Sequence, residues 1–311
     1  MSKPPVLLTR RIPSAATRTL EEACDVDRND DGALSEAQLI ERLRGRQGVV
    51  CLMNDPMTRA VIESAADLKV IATVAVGYNN IDVAAARERG IVVTNTPDVL
   101  TEATANLTWA LIMDVTRRIA EGDRLIRRHG WKGWALDFML GSDLRGKQLG
   151  IIGMGRIGRA VAARAEVFGM RVARADTRGA AGDAIPVDRL LSTSDIVTLH
   201  CPLTPETRHL IDQPALARMK RTAYLINASR GPIVDEAALA WALKNRLIAG
   251  AALDVYEDEP NVHPELMTLE NVVLVPHLGS ATTETRNAMA DLAVRNVISV
   301  LAGSGALTPV G

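Results

Sequence analysis

The chain has 311 residues, of which 47% are hydrophobic and 23% are charged, which suits a globular protein large enough for two domains. Its formal net charge is −1 and its aromatic content is 3%, so neither a basic nucleic-acid-binding surface nor a base-stacking platform is expected. The three cysteines are widely spaced, no apolar stretch is long enough to span a bilayer, and the N-terminus lacks a secretory signal. These features predict a cytoplasmic protein with no nucleic-acid or membrane partner.

The first hundred residues alternate between predicted strands and helices, which indicates a parallel-sheet unit. Strands are expected near residues 6–9, 48–53, 69–74 and 90–94, and helices near residues 14–24, 36–44 and 58–64. The acidic segment 27–38 nearly fits a calcium-binding loop, but Gln38 stands where a bidentate glutamate belongs. A polar loop, with Ser35 capping the next helix, is the preferred interpretation.

A long amphipathic helix is predicted from Thr101 to His129, as a connector between domains or a contact between subunits. Trp131 and Trp134 follow it. Tryptophan often anchors interfaces, so loop packing or an interface is favoured here over a substrate role.

Residues 147–176 contain a strong ligand-binding signal. A buried strand, a glycine-rich turn, a helix and a second strand follow one another in order, and the turn contains Gly153, Gly155 and Gly158. The first glycine permits a tight turn, the second lets the backbone approach a pyrophosphate, and the third lets the helix pack closely on its strand. The helix N-terminus would then face the phosphates. This arrangement predicts a dinucleotide-binding site.

Asp176 ends the second strand of this segment, where a ribose-binding carboxylate is expected. A carboxylate there favours NAD(H), because it hydrogen-bonds the 2′-hydroxyl and repels a 2′-phosphate. Arg174 and Arg178 flank it and could meet a 2′-phosphate, so NADP(H) stays open.

Four further strands are expected at residues 195–200, 223–227, 250–254 and 271–275, and a last helix at 282–301 is predicted to return to the first domain. In an open α/β sheet, ligands bind beyond the carboxyl ends of the strands. The polar side chains that follow these strands therefore point toward one crevice; they are Arg230, Asp254, Glu259 and His277. No cluster of histidines, cysteines or carboxylates has the spacing of a metal site, so no metal is expected.

Five motifs together resemble the D-2-hydroxyacid dehydrogenase family, and within it the glyoxylate and hydroxypyruvate reductases. They are AVGYNNID at 75–82, HCPLTPETR at 200–208, NASRG at 227–231, DVYEDEP at 254–260 and PHLGSAT at 276–282. The resemblance implies an α/β fold of two Rossmann-like domains with parallel sheets. An NAD(P)-binding domain (100–281) would be inserted into a discontinuous, flavodoxin-like substrate domain (1–99 plus 282–311).

The resemblance also implies a catalytic set of Arg230, Glu259 and His277. Histidine would deliver a proton near neutral pH, glutamate would orient the imidazole, and arginine would hold the substrate carboxylate. Substrate contacts are implied for Asn54, Val76, Gly77, Arg230, His277 and Trp134. Cofactor contacts are implied for Thr104, Gly153, Gly155, Arg156, Ile157, Gly158, Asp176, Cys201, Pro202, Thr207, Ala228, Ser229, Asp254, Gly279 and Ser280.

The activity that the resemblance implies is NAD(P)H-dependent reduction of glyoxylate or hydroxypyruvate to the D-2-hydroxy acid by a homodimer. A dehydrogenase of a larger 2-oxo acid or of 3-phosphoglycerate is an alternative, and so is an NAD-sensing, corepressor-like binding protein. The preferred 2-oxo acid and the physiological direction stay open, because substrate side-chain contacts come from loops.

Overall fold

The structure, a computed structural model, describes residues 2–176 and 183–310. The chain divides into two compact units, the first made of residues 1–100 and 282–311 and the second of residues 101–281. In the described residues each unit contains a parallel sheet with helices between its strands. The predicted α/β fold class is therefore confirmed.

The sheet of the first unit has the strand order 2-1-3-4-5, which is the flavodoxin-like order. Its strands are β1 (Pro5–Leu8), β2 (Asp25–Arg28), β3 (Gly48–Cys51), β4 (Val70–Thr73) and β5 (Val92–Thr94). The N-terminal helices of this unit are α1 (Ser14–Ala23), α2 (Glu36–Arg42), α3 (Arg59–Ser64) and α4 (Val83–Glu88). Strands β1, β3 and β4 are almost wholly buried, as expected for inner parallel strands.

The segment predicted as an acidic loop begins inside strand β2, which lies at the edge of this sheet and pairs with β1. The side chain of Asn29 donates to the carbonyls of Thr9, Asp31 and Gly32. Asp27 forms ion pairs with Arg42 and Arg46. The polar side chains of this segment thus organise a turn between β2 and α2, and Ser35 caps α2 as predicted.

The second unit contains a six-stranded sheet, and every neighbouring pair in it is parallel. Its strands are β6 (Gln148–Ile152), β7 (Arg171–Ala175), β8 (Ile196–Leu199), β9 (Tyr224–Asn227), β10 (Gly250–Leu253) and β11 (Val272–Leu274), in the spatial order 11-10-9-8-6-7. Its helices are α5 (Thr101–Arg117), α6 (Ile119–Arg127), α7 (Arg156–Ala165), α8 (Val187–Thr193), α9 (Gln213–Arg218) and α10 (Glu236–Lys244). The strand order reverses at β6, which lies between β7 and β8 and is therefore the switch point where ligands bind in such sheets.

The prediction of one long helix from Thr101 to His129 is wrong. Arg118 adopts a left-handed conformation (φ 57°), which ends α5, and α6 starts at the next residue. The Asp114 carboxylate accepts a hydrogen bond of 2.7 Å from the Ala120 N–H and so stabilises the start of the second helix. Amphipathic periodicity continues across the break, and for that reason the sequence pattern did not reveal it.

The C-terminal helix α11 (Thr283–Leu301) packs on the sheet of the first unit, where the sequence places it. Its apolar face comprises Ala290, Ala293, Val294 and Val297, and it packs with buried side chains of α1, β1, β3 and β4. The first unit therefore combines residues from both ends of the chain. Within the described part of the chain, none of the helices has the length and apolar character needed to cross a membrane.

Candidate active site

Strands β9, β10 and β11 lie side by side, so their carboxyl ends meet at one edge of the sheet of the second unit. Backbone hydrogen bonds continue beyond the strands: the Asp254 N–H donates to Asn227 O (2.9 Å), and the His277 N–H donates to Asp254 O (2.9 Å). The sequence predicts that the polar side chains following these strands converge. The structure brings His277, Glu259 and Asp254 together at this edge.

His277 and Glu259 form the central contact. The imidazole Nδ1 lies 2.9 and 3.1 Å from the two carboxylate oxygens of Glu259. Burial raises the pKa of the Glu259 carboxyl, but the hydrogen bond and charge of His277, the Tyr256 N–H and the Arg230 charge outweigh it and lower the pKa overall. Because Glu259 is then ionised, it can only accept, and Nδ1–H of His277 is the donor. This arrangement leaves Nε2 as the ring nitrogen available to a substrate.

Asp254 holds the backbone that follows His277. One carboxylate oxygen accepts from the Leu278 N–H (2.5 Å) and the other from the Gly279 N–H (2.9 Å). Burial raises the pKa of this carboxyl, and the two amide donors and the His277 charge oppose the rise. Asp254 therefore fixes the loop that presents His277, besides any contact it makes with a cofactor.

Arg230 follows strand β9 by three residues and is half-buried. Its guanidinium donates to the Ser229 carbonyl at 2.7 Å. Burial lowers the pKa of the guanidinium, and the Glu259 charge opposes that shift; arginine nevertheless stays protonated in proteins. A positive planar group thus lies within electrostatic reach of the glutamate–histidine pair.

The glycine-rich turn lies at the switch point, between the carboxyl end of β6 and the start of α7. Gly153 has φ 96°, and a Cβ atom there would lie 2.4 Å from the Cys201 nitrogen. A Cβ on Gly158 would lie 2.2 Å from the Gly153 carbonyl oxygen. Around Gly155, in contrast, nothing lies within 4 Å of the Cβ position. Two glycines are therefore required by packing, and the middle one leaves open space beside the backbone.

That open space lies at the N-terminus of α7, whose N-cap residue is Gly155 and which has no side-chain cap. The first N–H groups of a helix lack partners within the helix, and its dipole favours negative charge there. The glycine-rich turn therefore fits the pyrophosphate of a dinucleotide. Arg156 and Ile157 are the first two residues of α7.

Several other residues predicted to contact the cofactor brace neighbouring loops. Thr104 donates to the Gly279 carbonyl (3.2 Å), the Thr207 hydroxyl to the Pro202 carbonyl (2.7 Å), and the Ser229 hydroxyl to the Cys201 carbonyl (2.5 Å). Burial raises the pKa of the Cys201 thiol to about 11, so it is a neutral core side chain. Among the remaining predicted residues, Pro202 is exposed, Ala228 buried and Ser280 half-buried.

The residues predicted to select the cofactor are only partly described. Asp176 directly follows β7 and is half-buried. Arg174 forms an ion pair with Asp183, so its charge is already engaged by a carboxylate. Arg178 lies outside the described residues.

Three of the predicted substrate contacts lie in the first unit, in the chain that follows strands β3 and β4. These are Asn54, Val76 and Gly77, and the Val76 carbonyl accepts from the Asn95 side chain (2.8 Å). Sequence reasoning missed Asp55, a fully buried carboxylate that accepts from Thr9, Arg10 and the Leu52 N–H. Nothing in the sequence pattern distinguished it from an ordinary turn aspartate. Trp134 lies in the second unit and is 80% exposed.

The other histidines differ from one another. His200 bonds to the Thr198 hydroxyl through Nε2 (2.9 Å), and burial lowers the pKa of its ring to about 4, so it is neutral near pH 7. His209 and His263 are half-buried, whereas His129 is exposed. His209 pairs with Glu257, in the loop that carries Glu259. Among residues 2–176 and 183–310, no group of three or more histidine, cysteine or carboxylate side chains could hold a metal ion.

Residues 109–279 match the family described as D-isomer specific 2-hydroxyacid dehydrogenase, NAD binding domain. The chain is also 48% identical over 312 aligned positions to the glyoxylate reductase of Korarchaeum cryptofilum (strain OPF8), covering 97% of this chain and 94% of that protein. The chain belongs to the D-2-hydroxyacid dehydrogenase family. The predicted family is thereby confirmed, and the protein is an NAD(P)-dependent D-2-hydroxyacid dehydrogenase.

Solved structures agree with this assignment. The dehydrogenase superposes on a protein from Thermus thermophilus with a TM-score of 0.93 and 44% identity, covering 99% of this chain and 100% of that one. It superposes on an NADPH-dependent glyoxylate/hydroxypyruvate reductase from Sinorhizobium meliloti, in complex with NADP and malonate, with a TM-score of 0.90. In that pair the identity is 35%, with 100% of this chain and 97% of the other covered.

Proposed function

We propose that this dehydrogenase reduces glyoxylate to glycolate or hydroxypyruvate to D-glycerate. The observation that carries the proposal is the hydrogen-bonded pair of His277 and Glu259, with the Arg230 charge nearby, at the strand ends of the unit that contains the dinucleotide-binding turn. Relatives named glyoxylate reductase at 43–48% identity support the choice of a small 2-oxo acid.

A nicotinamide dinucleotide would be held by the glycine-rich turn, since the open space at Gly155 and the uncapped start of α7 both suit a pyrophosphate. When bound, the reduced nicotinamide supplies a hydride to the carbonyl carbon of the substrate. Asp176 supports NAD(H), because a carboxylate hydrogen-bonds the ribose 2′-hydroxyl, and NADP(H) stays possible. Residues 101–281 would form the cofactor domain, and the first unit the substrate domain.

His277 would deliver the proton that balances the reaction. As the hydride reaches the carbonyl carbon, the C=O π bond breaks and negative charge develops on oxygen. The Nε2–H of an imidazolium would transfer its proton to that oxygen, and Glu259 would stabilise the imidazolium and fix the ring through Nδ1. Arg230 would hold the substrate carboxylate through its planar fork.

The remaining substrate contacts are proposed by family resemblance and position. The backbone around Val76 and Gly77 would bind the substrate carboxylate, with Asn54 beside a neighbouring strand end. Trp134 would contact substrate from a second copy of the chain.

A second copy of the chain is also proposed to cover an apolar surface of the second unit. Every residue of α6 is at least partly exposed, and Ile119, Ile126, Trp131, Trp134, Leu136 and Leu140 are all exposed. An apolar surface of this kind commonly marks a protein interface. We infer a homodimer, located in the cytoplasm because the three cysteines are free thiols. Light scattering on the wild type and on Trp134→Ser tests the dimer, which the substitution is expected to weaken; a monomeric wild type would contradict it.

Initial-rate oxidation of NADH and NADPH, followed at 340 nm, tests the activity. Glyoxylate, hydroxypyruvate, pyruvate, phenylpyruvate and 3-phosphohydroxypyruvate would be compared at matched concentrations. We expect glyoxylate and hydroxypyruvate to give the highest kcat/KM of the five acids. Preference for phenylpyruvate or the phosphorylated acid would overturn the substrate assignment, and tight NADH binding without turnover would overturn the enzymatic one.

A further inference from the structure

The loop that carries Glu259 is attached to the sheet at its beginning. This segment, residues 255–263, is called the glutamate loop below. The Tyr256 hydroxyl donates to the Val275 carbonyl (3.0 Å), and the Tyr256 N–H donates to Glu259 Oε1 (3.1 Å). These bonds hold the start of the loop, and the position of the residues that follow depends on a further contact.

A single buried carboxylate binds the loop on both sides of Glu259. Oε1 of Glu236 accepts from the Glu257 N–H at 2.6 Å, and Oε2 accepts from the His263 N–H at 3.1 Å. Glu236 is only 4% exposed. Hydrogen bonds that backbone amides donate to a carboxylate are among the stronger ones in proteins, particularly when they are buried.

The helix to which Glu236 belongs does not need this side chain. Glu236 is the first residue of α10, and the helix is already capped by Asp235, whose carboxylate accepts from the Ala238 N–H (2.9 Å). Both oxygens of Glu236 instead face the glutamate loop. The side chain is thus used for the loop and not for its own helix.

The same loop also touches the residue next to Arg230. A Cβ atom on Gly231 would lie 1.8 Å from the Tyr256 carbonyl oxygen, so the loop backbone lies directly against Gly231. A shift of the loop would therefore disturb the surroundings of Arg230 as well as the position of Glu259. An outer contact, the ion pair of His209 with Glu257, joins side chains that are 37% and 29% exposed, and such pairs contribute little.

We propose that Glu236 is a positioning residue for the reduction, which holds the glutamate loop so that Glu259 stays hydrogen-bonded to Nδ1 of His277. The inference rests on the proposed function, in which that pair delivers the proton. Glu236 does not touch substrate or cofactor in this scheme; it acts through Glu259.

Glu236→Gln tests the proposal with little change in size. The amide keeps one acceptor oxygen and places an NH₂ donor against a backbone N–H, so one end of the loop loses its bond. We expect kcat/KM to fall by roughly one to two orders of magnitude, the size of one charge-assisted hydrogen bond, with NADH affinity kept. Glu259 and Asp254 are the carboxylates that interact with His277, and the Arg230 charge acts on Glu259. A looser Glu259 should therefore also move the alkaline limb of the kcat/KM–pH profile to lower pH.

The matched control is Glu36→Gln. Glu36 is likewise the first residue of a helix that follows a capping side chain, Ser35, but it is exposed and lies in the other unit. We expect its rate and pH profile to match those of the wild type. Glu236→Asp retains the charge but is one methylene shorter, so it should give an intermediate effect and serves if the glutamine variant does not fold.

A second readout does not require turnover. The proton on Nδ1 of His277, assigned by its loss in His277→Gln, should give a downfield ¹H NMR signal that weakens or moves upfield in Glu236→Gln. An unchanged signal, or a lower rate with an unchanged pH profile, would overturn the positioning role. If the wild type reduced no 2-oxo acid, the proposed function would fail, whereas the NMR comparison would still decide whether Glu236 holds the pair.

Discussion

We predict that two alanine substitutions in the glycine-rich turn separate folding from cofactor binding. A Cβ on Gly153 would lie 2.4 Å from the Cys201 nitrogen and 2.6 Å from the His200 carbonyl carbon, and the residue has φ 96°. A Cβ on Gly155 meets nothing within 4 Å, and its φ of −72° suits any residue. Gly153→Ala should therefore destabilise the fold. Gly155→Ala should leave the fold stable and weaken the binding of the cofactor beside it.

The magnitudes differ enough to be measured. Forcing alanine into a left-handed conformation costs about 1–2 kcal/mol, and displacing the backbone that follows β8 adds roughly 1–3 kcal/mol. For a unit of this size, a total of about 2–5 kcal/mol lowers the melting temperature by roughly 5–20 °C. For Gly155→Ala, a poorer helix cap destabilises the protein by up to about 1 kcal/mol. The lower entropy of the unfolded chain stabilises it by about 0.4–1 kcal/mol. Because the two effects nearly cancel, the melting temperature should barely change.

NADH binding should be weakened by Gly155→Ala, the substitution that leaves the melting temperature almost unchanged. A methyl group at residue 155 would stand where the pyrophosphate approaches the backbone, and losing one charge-assisted hydrogen bond costs about 1.5–3 kcal/mol. NADH affinity, measured by fluorescence titration, should therefore fall by about one to two orders of magnitude. Thermal denaturation of the same samples supplies the stability comparison.

Either of two results would refute this reasoning. Wild-type NADH affinity in Gly155→Ala would show that the open space at the start of α7 is not the pyrophosphate site. A wild-type melting temperature in Gly153→Ala would show that the close approach of the backbone segments after β6 and β8 does not require glycine at residue 153.

Three further substitutions test the site and the two ion pairs of Glu270. His277→Ala should lower kcat by about 10²–10⁴-fold with NADH affinity kept, and full activity would exclude it as the proton donor. Asp176→Ala should weaken NADH relative to NADPH, and an unchanged ratio would remove it from cofactor selection. The pKa of Glu270 is lowered, chiefly by hydrogen bonds from Arg128 and Arg124. Its stabilising effect is therefore full above the unfolded-state pKa of about 4.3 and lost as the pH falls through the folded value. The melting-temperature difference between wild type and Glu270→Gln should shrink accordingly below about pH 4, and a difference that grew there would contradict the assignment.

Much of the sheet architecture follows from local pattern. Buried parallel strands are short apolar runs, and β8 to β11 were predicted to within one residue at each end because polar or glycine-containing turns bound them. Strand β2 was missed since Asp25–Arg28 lies at a sheet edge and has no apolar run. The break at Arg118 was missed because it depends on one backbone conformation and one capping bond, which leave the periodicity intact.

In the candidate site, too, some residues could be located from local sequence pattern and others could not. The strand-end rule located Arg230, Asp254 and His277, since each follows a recognisable strand. Glu236 could not be found in that way, because it reads as an ordinary acidic residue in the first turn of a helix. Its side chain accepts two hydrogen bonds from the glutamate loop, from the backbone N–H groups of residues 257 and 263. The sequence pattern of a single helix does not predict such long-range contacts.

The return of α11 to the first unit has a consequence for synthesis on the ribosome. Until α11 emerges, the sheet face formed by Val6, Leu8, Val50 and Val70 lacks one of the two helices that pack on it. The second unit, in contrast, is encoded without interruption and has its own core. We therefore expect the inserted unit to fold first during translation. Part of the apolar sheet face of the N-terminal hundred residues would stay exposed until α11 packs on it, and a chaperone could bind the nascent chain there.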